Sequence, residues 1–87
     1  MYNQNKQKPR MELQSTYTTS DLYLTAYLKL KGNKFIVEKT AKKSTFVFVS
    51  SPELLSNVDE YLTETGSCEP LAYTNAIKNL KNLLFNR

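Results

Sequence analysis

Two groups of side chains in this 87-residue sequence have the types and spacing that chemistry needs. The first is Glu60 and Glu64, four residues apart, with Asp59 beside them. On a helix this spacing stacks two carboxylates on one face, where they can hold Mg²⁺ or Ca²⁺ or share a proton. No other residue in the sequence completes such a site, so the expectation is a solvated acidic face. The second is Cys68, the single cysteine. A thiol reacts as its thiolate, and no base or lysine adjoins Cys68 to stabilise one. There is no histidine. That removes the commonest general base, the usual activator of a nucleophilic Ser or Cys, and the common Cys/His zinc sites. The only glycines, Gly32 and Gly66, are too far apart to form a phosphate-cradling loop. These absences point away from an enzyme, with no cofactor, no metal and no catalytic residue assigned. The expectation is a binding protein.

The residues left to bind something are charged, and they are unevenly placed. The net charge is +4. Between Leu22 and Ser50 stand Lys29, Lys31, Lys34, Lys39, Lys42 and Lys43 against one acid, Glu38. Between Ser51 and Ile77 stand Glu53, Asp59, Glu60, Glu64 and Glu69 with no basic residue. Lys78, Lys81 and Arg87 follow. Such a division orients a molecule towards a charged partner, or else the halves complement each other within the fold.

A chain of this length is one domain, and small domains bury only about 60% of their unfolded surface. One cysteine excludes an internal disulfide and suits a reducing, cytoplasmic setting. No apolar run approaches the roughly 18 residues that span a bilayer, and no signal peptide is expected. Residues 1–16 read as a flexible basic tail carrying Lys6, Lys8 and Arg10. It is either a solubilising terminus or an arm that touches phosphates. Residues 17–87 read as a single compact α+β domain.

The elements that must position the charges follow from periodicity. A first helix starts at Thr18 to Asp21, capped by Thr19 or Ser20, and stops at Gly32. Its apolar residues cover about two-thirds of the circumference, leaving Thr25 and Lys29 as the wet stripe. A helix this apolar must be packed on more than one side. A hairpin follows over Lys34–Thr40 and Ser44–Ser50, with apolar residues on both faces. It is therefore covered twice or pairs through its edge. Its turn, near Ala41–Lys43, lacks an Asn-Gly or Asp-Gly signal, so the loop exceeds two residues. Ser50-Ser51-Pro52-Glu53 caps a second helix, with Leu54, Leu55, Val58, Tyr61 and Leu62 as its stripe and an end near Gly66. A third begins at Glu69-Pro70, with Ala72, Tyr73, Ala76, Ile77, Leu80, Leu83 and Leu84 on one face. The expected fold is α+β in the order α-β-β-α-α, a two-stranded antiparallel hairpin packed on three helices.

Two kinds of partner fit this arrangement. Lys39, Lys42 and Lys43 at the hairpin tip, with Lys29, Lys31 and Lys34 at the helix end and strand start, can track nucleic-acid phosphates. Lys78 and Lys81 on the third helix add to that surface, whose asparagines can read adenine edges. Tyr23 and Tyr27 can stack on bases if exposed, but lie on the apolar arc and read as core. Alternatively, the hairpin edge and the acidic second helix can dock on a larger protein or on a second copy, giving a homodimer. Neither reading needs a membrane.

The run from Tyr17-Thr18-Thr19-Ser20-Asp21-Leu22 to Leu28, then Lys31-Gly32, Phe46-Val47-Phe48 and Ile77-Lys78-Asn79-Leu80-Lys81, resembles a family of short bacterial and phage proteins of unknown function. The likeness covers about residues 17 to 85, mostly at core-type positions. It implies a fold but no catalytic residue. It also implies a plasmid, prophage or other mobile-element setting, which suits a DNA-binding accessory protein or an inhibitor of a host system.

Overall fold

A computed structural model of the chain describes residues 15–85. The tail lysines and arginine named above, and Arg87, lie outside the described residues. The elements are β1 (Thr16–Thr19), α1 (Leu22–Leu30), β2 (Phe35–Lys39), β3 (Ser44–Val49), α2 (Pro52–Leu62) and α3 (Pro70–Phe85). The α+β class, the three helices and the hairpin agree with expectation, but the order β-α-β-β-α-α corrects α-β-β-α-α. The sheet has three antiparallel strands in the order β1-β3-β2, not two.

The added strand comes from Thr16–Thr19, where a helix start was expected. These residues are β-branched or aromatic, and they complete the second edge of β3. Thr16 falls in the segment expected as a tail, but it belongs to this strand. The helix cap moves accordingly. Asp21, not Thr19 or Ser20, caps α1, its Oδ1 accepting from the Tyr23 and Leu24 amides at 3.0 and 3.1 Å. Thr19 Oγ1 accepts from the Asp21 amide instead. A carboxylate here also faces the positive end of the helix dipole.

Period-2 alternation sorts the sheet into two faces. Cross-strand register makes one inner row of Tyr17, Phe48 and Phe35 and a second of Thr19, Phe46 and Val37. Phe46 and Phe48 are each 1% exposed, and the Phe35 ring packs on both at 5.6 and 5.5 Å between centroids. This face closes on Leu24 and Leu28 of α1, Leu54 and Val58 of α2, and Ala76 and Leu80 of α3. Helix α1 touches both α2 and α3, and Leu24 to Leu28 are all buried. That confirms α1 as the central element and corrects Thr25. It is fully buried, its hydroxyl donating to the Asp21 carbonyl at 2.9 Å, so it belongs to no wet stripe.

The other helix signals act as the sequence implies, with one exception. Ser51 caps α2 through its Oγ, Pro52 opens the helix and Glu53 lies in the first turn. Glu69 accepts from the Ala72 amide at the start of α3. Gly32 ends α1 at φ +97, a conformation that needs no Cβ. Helix α2 ends at Leu62, and the left-handed residue that follows is Glu64 at φ 60 rather than Gly66.

Because two phenylalanines of one strand hold the sheet to the helices, Phe46→Ala should cost about 3–5 kcal/mol. That approaches the whole stability of a domain of this size. Urea unfolding followed by circular dichroism should show the cooperative transition shifted to very low denaturant or abolished.

Candidate functional site

All eight lysines singled out in the sequence are exposed, but they do not form one patch. Strand β2 separates six of them into two groups. Lys29, Lys31 and Lys34 stand at its start, and Lys39, Lys42 and Lys43 at its end. Five residues of strand put about 16 Å between the groups.

The first group surrounds the end of α1. Lys29 and Lys34 share an open cleft of about 410 Å³ with Gly32, Asn33 and Phe35. The turn below them is closed by hydrogen bonds. The Gly32 amide donates to the Lys29 carbonyl at 3.0 Å, and the Asn33 amide and side chain both donate to the Leu28 carbonyl. Asn33 Nδ2 also reaches Asn57 Oδ1 at 3.0 Å, tying this turn to α2. Lys31 points elsewhere. Its ammonium lies 5.2 Å from the centre of the Tyr27 ring, a cation–π contact that sets it apart from Lys29 and Lys34.

The second group occupies the loop of the hairpin. Thr40 organises it: its backbone amide donates to the Lys43 carbonyl at 2.8 Å, while its Oγ1 accepts from the Lys42 and Lys43 amides. The loop is longer than two residues, as the missing turn signal implied. Lys42 and Lys43 project from it. Lys39 reaches across to the Leu84 carbonyl at 3.4 Å, at the negative end of the α3 dipole. The hairpin tip therefore meets the end of α3. Lys81, one turn before Leu84, stands at the same end, and Lys78 lies a turn further back.

Asp59 and Glu64 are exposed, as a solvated acidic face requires, but Glu60 between them is not. Glu60 is partly buried, and its Oε1 accepts from the Tyr27 hydroxyl at 3.0 Å and from Asn57 Nδ2 at 3.4 Å. Tyr27 is only 4% exposed, which removes it as a stacking platform, whereas Tyr23 is half exposed. Burial raises the Tyr27 hydroxyl above its usual range, and the bond to Glu60 adds to it. Burial likewise raises Tyr61, with the Asp21 carboxylate next in effect. Tyr73 is pushed from the usual 10.0 to about 12, by burial first and then by the neighbouring Tyr61. Its hydroxyl donates to the Tyr23 carbonyl at 3.1 Å. No sequence signal marked this tyrosine cluster, since Tyr27, Tyr61 and Tyr73 come from three separate helices and meet only in the fold. Gly66 belongs to it too. A Cβ there would collide with the Tyr27 hydroxyl, so this glycine is required by close approach rather than by helix ending.

A second unexpected surface is the outer face of the sheet. Ile36 and Val49 are 62% and 57% exposed, and with Val47 they line an open groove of about 290 Å³. The hairpin is thus covered on one face, paired through β3 to β1, and left open on the other by the described residues.

A three-helix, three-strand α+β domain with lysines at both ends of an edge strand defines the class. The chain belongs to the DUF5659 family, a domain of unknown function, whose pattern covers residues 14–86. No curated protein and no solved structure matches it. No helix among the described residues is long and apolar enough to cross a membrane.

Two expectations test the tyrosine cluster. A group raised in the folded state contributes stability that is complete below its unfolded pKa and disappears as pH rises through the folded one. For Tyr73, stability should fall between pH 10.0 and about 12. Tyr73→Phe should flatten that part of the stability–pH curve. Gly66→Ala, which forces Tyr27 from Glu60, should destabilise the domain by about 1–3 kcal/mol in thermal unfolding.

Proposed function

We propose that this chain is a non-enzymatic nucleic-acid-binding accessory protein that contacts phosphates through the two ends of β2. The carrying observation is the exposed lysine pair at each end: Lys29 and Lys34 across one cleft, Lys42 and Lys43 on one loop. Phosphate contacts of this kind supply affinity without sequence reading and are strongly salt-dependent. Lys39 and Lys81 extend the loop group towards α3, and Lys78 lies behind them. Lys31 is a weaker member, held on Tyr27. The resemblance to short phage and bacterial proteins supports a mobile-element setting, and the lone cysteine fits a reducing cytoplasm.

A second reading has its own support. The open apolar groove of Ile36, Val47 and Val49 is a surface that a protein partner could cover, alone or as a second copy. In that reading the chain is an interaction module or inhibitor, and the edge strands β1 and β2 extend a partner's sheet.

Titration of labelled single- and double-stranded DNA at several salt concentrations separates the two. Binding should weaken steeply with salt. Replacing Lys39, Lys42 and Lys43 together by alanine should weaken it on all sequences. The same change should reduce the log–log salt slope by about 1 for each phosphate no longer neutralised. Lys29→Ala with Lys34→Ala should do the same for the cleft. No binding even at low salt overturns the nucleic-acid reading and leaves the groove as the functional surface.

A further inference from the structure

We infer that the cavity between the end of α2, the loop after it and the sides of α1 and α3 is a binding site for an organic cation carrying an alkylammonium group. This inference goes beyond the nucleic-acid reading and uses different residues. The cavity is about 270 Å³ and is lined by Tyr27, Tyr61 and Tyr73 together with the carboxylates of Glu60 and Glu64. Among the described residues no basic side chain lines it, and the sequence has none from residue 51 to 77.

Three features specify the ligand chemistry. The Tyr27 ring is 4% exposed and packs against the Tyr61 ring, their centres 5.7 Å apart at a tilt of 45°, so the aromatic surface left to a ligand is that of the half-buried Tyr61 and Tyr73. Aromatic faces attract ammonium groups through the ring quadrupole, which is how proteins hold quaternary and methylated amines. The phenols remain neutral well above physiological pH, so the negative charge that complements a cation comes from Glu60 and Glu64. The same carboxylates exclude phosphate and other anions. The chain also makes this interaction once with its own residue: Lys31, which does not line the cavity, places its ammonium over the Tyr27 ring. The volume lies just below the roughly 300–1,000 Å³ of drug-sized ligand pockets. It therefore suits a single head group rather than a nucleotide.

The experiment uses the full chain. With six tyrosines and no tryptophan, intrinsic fluorescence reports on tyrosine alone. Tetramethylammonium should produce a saturable change at ionic strength held constant with sodium chloride. A neutral molecule of similar shape, tert-butanol, should not. Spermidine and a trimethyl-lysine peptide then distinguish a free amine from a partner's side chain by which binds more tightly. Glu64→Gln changes an exposed residue and should weaken tetramethylammonium binding by roughly two- to thirtyfold, as should Tyr61→Leu. If Tyr61→Leu does not fold, Glu64→Gln decides alone. Replacing Lys42 and Lys43 should leave cation binding unchanged. A response absent, equal for tert-butanol, or unaltered in Glu64→Gln overturns the site.

Discussion

Helix α1 cannot face water on more than a narrow arc, and the rest of the fold answers that constraint. Five consecutive residues of it, Leu24 to Leu28, are buried. Consecutive positions on a helix point in all directions, so three separate surfaces must cover it. The inner face of the sheet, α2 and α3 supply them. Even Thr25 is enclosed, which is tolerable because its hydroxyl is satisfied by the carbonyl of the residue that caps its own helix. Tyr27 is enclosed for the same reason, and its hydroxyl finds Glu60 across the interface with α2. One apolar helix thus brings an acid into a partly buried position and gathers three tyrosines around a cavity.

The sheet shows the complementary effect. Its inner face is committed to the core through Phe46 and Phe48, and no described element covers the outer one. Ile36, Val47 and Val49 alternate with those core residues, so the same β-rich runs that build the core also expose an apolar strip. Polar edges limit the hazard of such a surface. Lys34 precedes β2, Lys39 ends it, and lysines on an edge strand oppose unwanted pairing. Lys34 and Lys39, two of the lysines proposed to contact phosphates, thus stand where they also guard an edge.

The charge division is real in three dimensions but finer than a split between halves. The basic residues of the first half separate along β2, and two of them are engaged internally: Lys31 with an aromatic ring and Lys39 with the end of a helix. The acids of the second half are likewise divided between solvent, a helix cap at Glu69 and the tyrosine cluster at Glu60. Charge along a chain sets which surfaces are available, while neighbours brought in by folding decide which charges remain free to bind.

By itself the sequence determined the features that depend on local chemistry. The cap and proline at Ser51-Pro52, the glycine stop at Gly32, the two β runs and the amphipathic third helix each carry their instruction within a few residues. The central role of α1 was legible too, because its apolar arc is too wide for one neighbour. Only the tertiary structure decided the rest. Thr16–Thr19 is too short and polar to announce a strand, and becomes one because β3 offers an unpaired edge. The left-handed turn after α2 falls on Glu64, while Gly66 answers to Tyr27, a residue far away in sequence. The separation of the lysines and the meeting of Tyr27, Tyr61 and Tyr73 arise from packing between distant segments, which no local pattern encodes.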